Sequence, residues 1–181
     1  MKIRSGRISD AEELRDLSER TFRETFAETN SVSDMEAYAR DHFSLDGVHA
    51  ELSGDAGSFL LAHSEGARTP VGYAKVRVGR AEQCVTGTDP MELERLYVSR
   101  HAIGSGVGAE LMRAVLGKAR DEQCQTLWLG VWEHNDRALE FYRRWGFVVV
   151  GSHIFRLGTD DQTDLIMARA VGESGVTSTD R

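Results

Sequence analysis

The chain has little cysteine, little proline, no excess of basic charge and no long apolar run, and each lack closes off a class of answers. Two cysteines in 181 residues, Cys84 and Cys124, are too few for a disulfide framework or a Cys-rich metal site. No stretch comes near the ~20 consecutive apolar residues of a membrane span. The opening Met1-Lys2-Ile3-Arg4-Ser5 has no apolar signal core, so secretion is not expected and a cytoplasmic location is. The charge balance is 22 Lys and Arg against 29 Asp and Glu, a formal −7. A nucleic-acid-binding domain usually presents a basic face, whereas this chain repels phosphate backbones on average and tolerates cationic small molecules. His42, His49, His63, His101, His134 and His153 share no ligand spacing, so no metal is expected. Two prolines stand against 18 glycines, and where the glycines cluster is informative.

With 40% hydrophobic and 28% charged residues, the chain reads as a globular protein of one domain, long enough to bury a core unaided. Residues 1–171 are assigned to that domain, and the small, polar stretch 172–181 to a disordered tail. Ile3-Arg4-Ser5 is a strand candidate. Ser9-Asp10-Ala11-Glu12 reads as a capping box before a helix from about Asp10 to Phe26, with Leu14, Leu17, Phe22 and Phe26 near helical spacing. Ser33-Asp34-Met35-Glu36 reads as a second capping box, with Met35, Tyr38, Ala39, His42 and Phe43 following on one face; a short helix over about Leu45 to Leu52 comes next. Strands are predicted at 59–62, 71–78 and 92–98. A helix from Gly104 to Arg120 follows, then a nearly all-apolar strand at 127–131, buried on both faces. A helix from Asn135 to Trp145 and strands at 147–150 and 164–168 complete the chain. This order predicts an α/β (α+β) fold, a mixed sheet with helices on both faces.

The segment Ile103-Gly104-Ser105-Gly106-Val107-Gly108 lies between a predicted strand and an amphipathic helix. Glycine turns tightly and removes the Cβ atoms that would block a ligand. The free amides of a helix's first turn face outward with the positive end of the dipole behind them, so this segment can cradle a phosphate. It can equally be a glycine-rich loop with no ligand. A P-loop needs Gly-Lys-Ser/Thr, where this chain has Ala109-Glu110; a dinucleotide fingerprint needs Gly-x-Gly-x-x-Gly early in its domain, where this chain has Gly104, Gly106 and Gly108 in mid-chain.

Two segments in order carry a resemblance. Leu96-Tyr97-Val98 followed by Ile103 to Met112 resembles a strand leading into Arg/Gln-x-x-Gly-x-Gly/Ala at a helix start. Asn135-Asp136-Arg137-Ala138-Leu139-Glu140-Phe141-Tyr142-Arg143-Arg144-Trp145-Gly146-Phe147 resembles Asn-x-x-Ala-x-x-x-Tyr-x-x-x-Gly-Phe. Together they are similar to the GCN5-related N-acetyltransferase superfamily, over most of the chain up to about Val171. Thr25-Phe26, Asp34-Met35, Glu92 to Val98, Gly130-Val131-Trp132-Glu133 and Leu157-Gly158 with Asp164 further resemble a bacterial branch related to spermidine/spermine N-acetyltransferases. The resemblance implies a mostly antiparallel sheet. It also implies acetyl transfer from acetyl-CoA, as co-substrate, to a small-molecule amine, a polyamine first among the candidates. Neither nucleic acid nor membrane is an implied partner, and a homodimer is compatible with the family. A non-catalytic acetyl-CoA-binding regulatory module is the alternative.

Carried over residue by residue, the resemblance makes Tyr142 the acid that protonates the departing thiolate; its other reading is a helix tyrosine packing its ring. Glu92 falls where several family members keep a catalytic carboxylate. Strand alternation puts Glu94 on the same face, so Glu92, Glu94 or a chain of waters can serve as the base. The backbones of Leu96, Tyr97 and Val98 would pair with pantetheine like an added strand, the Val98 amide serving the thioester oxygen. Asn135 would bond the pantetheine amide, and asparagine also suits a helix N-cap. Ile103, Gly104, Ser105, Gly106, Val107 and Gly108 would take the pyrophosphate. Ile103 stands where the family has Arg or Gln; its backbone amide can do the same work, with Arg100 or His101 supplying charge. Phe26, Trp132 and Glu133, with Tyr38, are candidates for an amine pocket, since a cation favours carboxylates and aromatic faces; each can equally be a core aromatic or a surface acid. Neither cysteine has an evident thiolate stabiliser, so a covalent acyl-enzyme on cysteine is not expected.

Overall fold

The computed structural model describes residues 1–54, 57–157 and 160–172. The predicted tail, Gly172 apart, and Gly158 of the branch motif lie outside them. Strand β1 (Lys2–Ser5) leads through a 3-10 turn into α1 (Ala11–Phe26), followed by α2 (Val32–His42) and α3 (Leu45–Ser53). Next come β2 (Ser58–His63), β3 (Gly72–Val78), β4 (Pro90–Val98), α4 (Val107–Asp121), β5 (Thr126–Trp132), α5 (Asp136–Arg144), β6 (Val148–Leu157) and β7 (Asp160–Ala170).

Helix starts are where the structure departs from the expected boundaries. Ser9 does not cap α1. Asp10 stands at the N-cap position without a side-chain cap bond to α1; its carboxylate instead accepts the Arg7 amide at 2.7 Å and both guanidinium nitrogens of Arg4 at 2.6 and 2.8 Å, across a 3-10 turn over 8–10. Ser31, rather than Ser33, caps α2, since its hydroxyl accepts from the Asp34 amide at 3.1 Å. Helix α4 begins at Val107 and not Gly104, because Gly104 and Gly106 have φ of +84° and +89°, outside the helical region. The last two strands are longer than predicted. In β6 Gly151, His153 and Phe155 turn inward while Ser152, Ile154 and Arg156 are exposed, so an apolar residue on the outer face hides the period of two.

The seven strands form one sheet in the order β1-β2-β3-β4-β5-β7-β6. Only the β4–β5 pair is parallel among the described strands. Helices cover both faces, as expected. On one side Val107, Leu111, Met112 and Val115 of α4 and Leu139 of α5 are buried with Leu60, Ala74, Val76, Leu93 and Leu129 of the sheet. On the other, Leu14 and Leu17 of α1 and Val48 of α3 pack with Phe59, Leu61 and Tyr73. Phe22 of α1 joins Met35, Ala39 and Phe43 in a smaller cluster under α2. Burying a side chain of this size stabilises by ~1.5–3 kcal/mol, so each face has enough apolar area to hold its helices.

What positions the site is a defect in the middle of the sheet. Strand β4 has a bulge: Val76 faces Leu93 and Lys75 faces Arg95, leaving Glu94 as the extra residue. A bulge increases local twist and bends its strand. Strands β4 and β5 pair only at Pro90–Thr126, Met91–Leu127 and Glu92–Trp128. Beyond that β4 follows β3 as far as Val98, and β5 follows β7 as far as Trp132. The two strands part and leave a slot.

Candidate active site

Two cavities open on the slot. The first, about 370 Å³, is walled by Phe22 and Phe26 of α1, Tyr38 and His42 of α2, the Glu92–Tyr97 stretch of β4, Gly130 and Trp132 of β5, His153 and Phe155 of β6, and Gln162 and Asp164 of β7. The second, about 450 Å³, is walled by Val98, Ile103, Gly104, Gly106, Gly108, Arg137, Phe141 and Arg144. Leu96, Tyr97, Asn135, Ala138 and Tyr142 line both, so the cavities meet at these residues.

The second cavity is built from backbone. Ser99 donates its amide to Val71 O at 2.9 Å, toward β3. Amides alternate in direction along a strand, so the Val98 N–H points the other way, into the gap left by β5. The positive φ of Gly104 and Gly106 turns the chain sharply, and a Cβ built at either meets nothing within 4 Å. There is thus open space over the first turn of α4, where the amides of Val107, Gly108 and Ala109 have no intrahelical acceptor. Asn135 caps α5 by accepting the Ala138 amide at 3.2 Å while lining both cavities, so its cap role and its cavity position coexist.

Some expected contributors face elsewhere. Val107 is buried, its side chain spent on the core. Ser105 donates its hydroxyl to Ala102 O at 2.7 Å, and Ile103 its amide to Arg100 O at 3.3 Å. Arg100 does not turn to the cradle: its amide donates to Glu24 Oε2 at 2.8 Å and its guanidinium to Glu24 O at 3.0 Å. The cations of this cavity are Arg137 and Arg144 instead, seven residues apart on α5 and not singled out from the sequence. Their spacing of two helical turns was the available signal.

Tyr142 is 8% exposed, packed edge-on to Phe147 with ring centroids 5.7 Å apart. Burial pushes its phenol well above the ordinary range, so it carries its proton at any working pH.

The first cavity is aromatic and internally neutralised. Phe26 and Trp132 meet edge-on at 6.2 Å, and Tyr38 stacks on Phe22 at 4.5 Å. Glu92 and Glu94 do share a face, as alternation predicts. Glu92 accepts from Arg77 at 2.8 and 3.2 Å. Glu94 accepts from Lys75 at 2.9 Å and lies 3.3 Å from Arg95. Glu51 of α3 closes the ladder, bonding Lys75 at 2.7 Å and Arg95 twice at 3.0 Å. Burial disfavours the charged form of Glu51, yet Arg95 and Lys75 hold its carboxyl below the usual value. Three carboxylates thus face three cations, so Glu92 and Glu94 do not give the cavity a net acidic wall. Glu133 follows the last residue of β5, is exposed, and lies 3.9 Å from His134 rather than in the cavity wall.

Asp164 is the carboxylate this cation ladder does not reach. It lies 3.8 Å from His153 Nε2, and burial raises its pKa, an effect that His153 opposes. Neither residue follows from periodicity; they meet only through the β6–β7 register. Among the described residues no three His, Cys, Asp or Glu side chains gather to hold a metal ion, and no helix is long and apolar enough to cross a membrane.

The model of the acetyltransferase (GNAT) family matches residues 11–147. The chain is 32% identical over 171 residues to an uncharacterised N-acetyltransferase in the pepI 3′ region of Lactobacillus delbrueckii subsp. lactis, covering 94% of this chain and 98% of the relative. A shorter match, 29% identical over 56 residues, is to a protein of Bacillus subtilis subsp. natto named "Probable spermine N(1)-acetyltransferase", covering 30% of this chain and 37% of that one. In fold it is similar to the PaiA N-acetyltransferase of Thermoplasma acidophilum, solved in complex with coenzyme A, with a TM-score of 0.74, 21% identity, and 93% and 98% of the two chains covered. The family match spans the β4 bulge, the split strands, the glycine turn and the Asn135 helix start, and the chain belongs to the acetyltransferase (GNAT) family.

Proposed function

We propose that this acetyltransferase transfers the acetyl group of acetyl-CoA to the nitrogen of a primary amine, both substrates being bound at once. The observation that carries the reading is the meeting of two unlike cavities at one set of residues, Leu96, Tyr97, Asn135, Ala138 and Tyr142. The backbone-lined cavity suits a long polar thioester with phosphates at one end. The aromatic one suits an organic cation.

The amides of the first turn of α4, with Arg137 and Arg144, would hold the pyrophosphate. The open edge of β4 over Leu96 to Val98 would pair with pantetheine as an added strand, and Asn135 would bond its amide. Val98 N–H would steady the carbonyl oxygen as negative charge develops there. Tyr142, protonated at the junction, would give its proton to the leaving sulfur. Phe26, Tyr38 and Trp132 would hold the amine's carbon chain or its charge. Glu92 accepts both of its Arg77 hydrogen bonds on Oε2, which fixes the side chain in the floor of the cavity.

Polyamines are the first class to test. The partial match to the spermine acetyltransferase and the aromatic walls support them. The test is a panel of polyamines, amino acids, aminoglycosides and neutral amines of matched size, with acetyl-CoA and thiol release as readout. Amine-dependent release, fastest for a polyamine, is expected. Thermal protection by CoA without turnover on any amine would instead indicate a binding module. Protection by NAD or ATP and none by CoA would overturn the reading altogether.

A further inference from the structure

An alkylammonium entering the aromatic cavity is not a nucleophile until it loses a proton, and the carboxylates of β4 are already paired with cations of the protein. Glu92 is held by Arg77, and Glu94 by Lys75 and Arg95. Across the slot, Asp164 is in a different situation. Its side chain is 16% exposed and lines the same cavity. Its register partner on β5 is Trp132; two residues earlier on the same strand stands Gly130, where an added Cβ would stand 3.5 Å from Asp164 Oδ2 and 3.6 Å from His153 Nε2. The absence of a side chain at Gly130 leaves both groups open to the cavity. Behind Asp164 the groups continue outward: His153 Nε2 is 3.8 Å from Asp164 Oδ2, and His153 Nδ1 is 3.3 Å from Glu82 Oε1, on the loop between β3 and β4. Glu82 is 44% exposed, so the series ends in solvent.

We propose that Asp164 takes the proton of the bound ammonium and that His153 and Glu82 pass it to the surface. This rests on the amine-acetylation reading above. The bookkeeping closes without a further reactant. The ammonium gives one proton to an Asp164 oxygen, Asp164 gives it to His153 Nε2, His153 releases its Nδ1 proton to Glu82, and Glu82 returns it to water. The neutral nitrogen then forms the C–N bond as the C–S bond breaks. The second nitrogen proton is shed to solvent once that bond has formed, and Tyr142 regains from solvent the one it gives to sulfur, so the count balances. The 3.8 Å gap is an ion-pair distance, and catalytic contacts of this kind tighten when substrate binds. Burial favours the neutral carboxylic acid at Asp164, which brings its proton affinity closer to that of an amine than a solvated carboxylate's would be. The other charged or titratable groups near it are Tyr38 from α2, whose phenol burial raises, and, around Tyr38, Glu94 and Arg95 from β4 and Glu51 from α3.

The test compares wild type, Asp164→Asn and His153→Gln on the best amine of the panel, between about pH 6 and pH 10. Retained thermal protection by acetyl-CoA establishes that each variant is folded. For Asp164→Asn, kcat/KM is expected to fall ~10²–10⁴-fold at neutral pH. The deficit should shrink about tenfold per pH unit up to the amine's own pKa, because solvent then supplies the free amine. His153→Gln, at a more exposed position, is expected to lose about tenfold and to displace the acid limb of the profile. An Asp164→Asn profile parallel to wild type, or a loss confined to KM with kcat intact, would overturn the proposal and leave the acetyltransferase reading standing. Wild type inert on every amine would overturn that reading and the proposal with it.

Discussion

Glu92 on β4 faces Trp128 on β5, and it is the last pair at which these two strands run side by side. Two residues later comes the extra residue of the bulge, Glu94, and the sheet has opened. The slot is therefore a consequence of strand register. One face of β4 from Glu92 onward supplies the charged ladder that fixes the cavity floor, and the free edge of the same strand supplies unpaired amides. This gives one strand two tasks in the proposed reaction.

Gly106→Val should weaken acetyl-CoA binding by at least tenfold while the protein still folds. A Cβ there meets no neighbour within 4 Å, so nothing in the protein is displaced, but φ of +89° is strained for a branched residue by ~1–2 kcal/mol. The melting temperature should drop by a few degrees and the dissociation constant, by calorimetry, should rise. Unchanged affinity would remove the glycine turn from the binding site.

Arg137→Gln and Arg144→Gln should each weaken CoA about 3- to 10-fold at low salt, with less effect on a dephosphorylated pantetheine thioester. Both arginines line the cavity beside the glycine turn. Exposed charge interactions are screened, so the gap between variant and wild type should narrow as salt is raised. Equal losses for CoA and for the phosphate-free thioester would mean that these side chains do not meet phosphate.

Tyr142→Phe should lower kcat about 10- to 100-fold and leave acetyl-CoA affinity nearly unchanged. The ring is retained, so its packing against Phe147 survives. The deleted hydroxyl matters only as charge develops on sulfur. A variant turning over at the wild-type rate, where chemistry limits kcat, would return Tyr142 to a packing role.

Asp10→Asn should cost ~1–3 kcal/mol at neutral pH, and less in acid. Hydrogen bonding to Arg4 holds the Asp10 carboxyl below its ordinary value, outweighing burial. The unfolded chain therefore takes up the proton more readily than the folded one. The stabilisation is complete above the ordinary carboxylate pKa of ~4 and is lost as pH falls through the lower folded value. Urea midpoints of wild type and variant should converge on acidification; a constant difference would mean that the Arg4–Asp10 pair contributes through shape alone.

What could be read in the sequence follows from what is local. The glycine spacing from Gly104 to Gly108 and the run from Asn135 to Tyr142 are short-range grammar, and both stretches line the second cavity. The wrong helix starts show the limit of that grammar. Ser9 and Ser33 satisfy a capping pattern, but Arg4, on a different element, pulls Asp10 into place, and Ser31 reaches the Asp34 amide first. The bulge at Glu94 is invisible without β3 beside it, since an extra residue is defined only against a partner strand. Charge neutralisation was hidden for the same reason: Glu51, Lys75, Arg77, Glu92, Glu94 and Arg95 come from three elements, and reading Glu92 and Glu94 alone suggests an acidic wall. Asp164 and His153 are neighbours only because β6 and β7 pair in that register.

Direct transfer between two substrates held at once can be read from initial rates of CoA release with acetyl-CoA and the best amine both varied. A ternary complex demands release that requires the amine and double-reciprocal lines that intersect. Parallel lines, which signify an acetyl group parked on the protein between two half-reactions, or release unchanged when the amine is omitted, would contradict it.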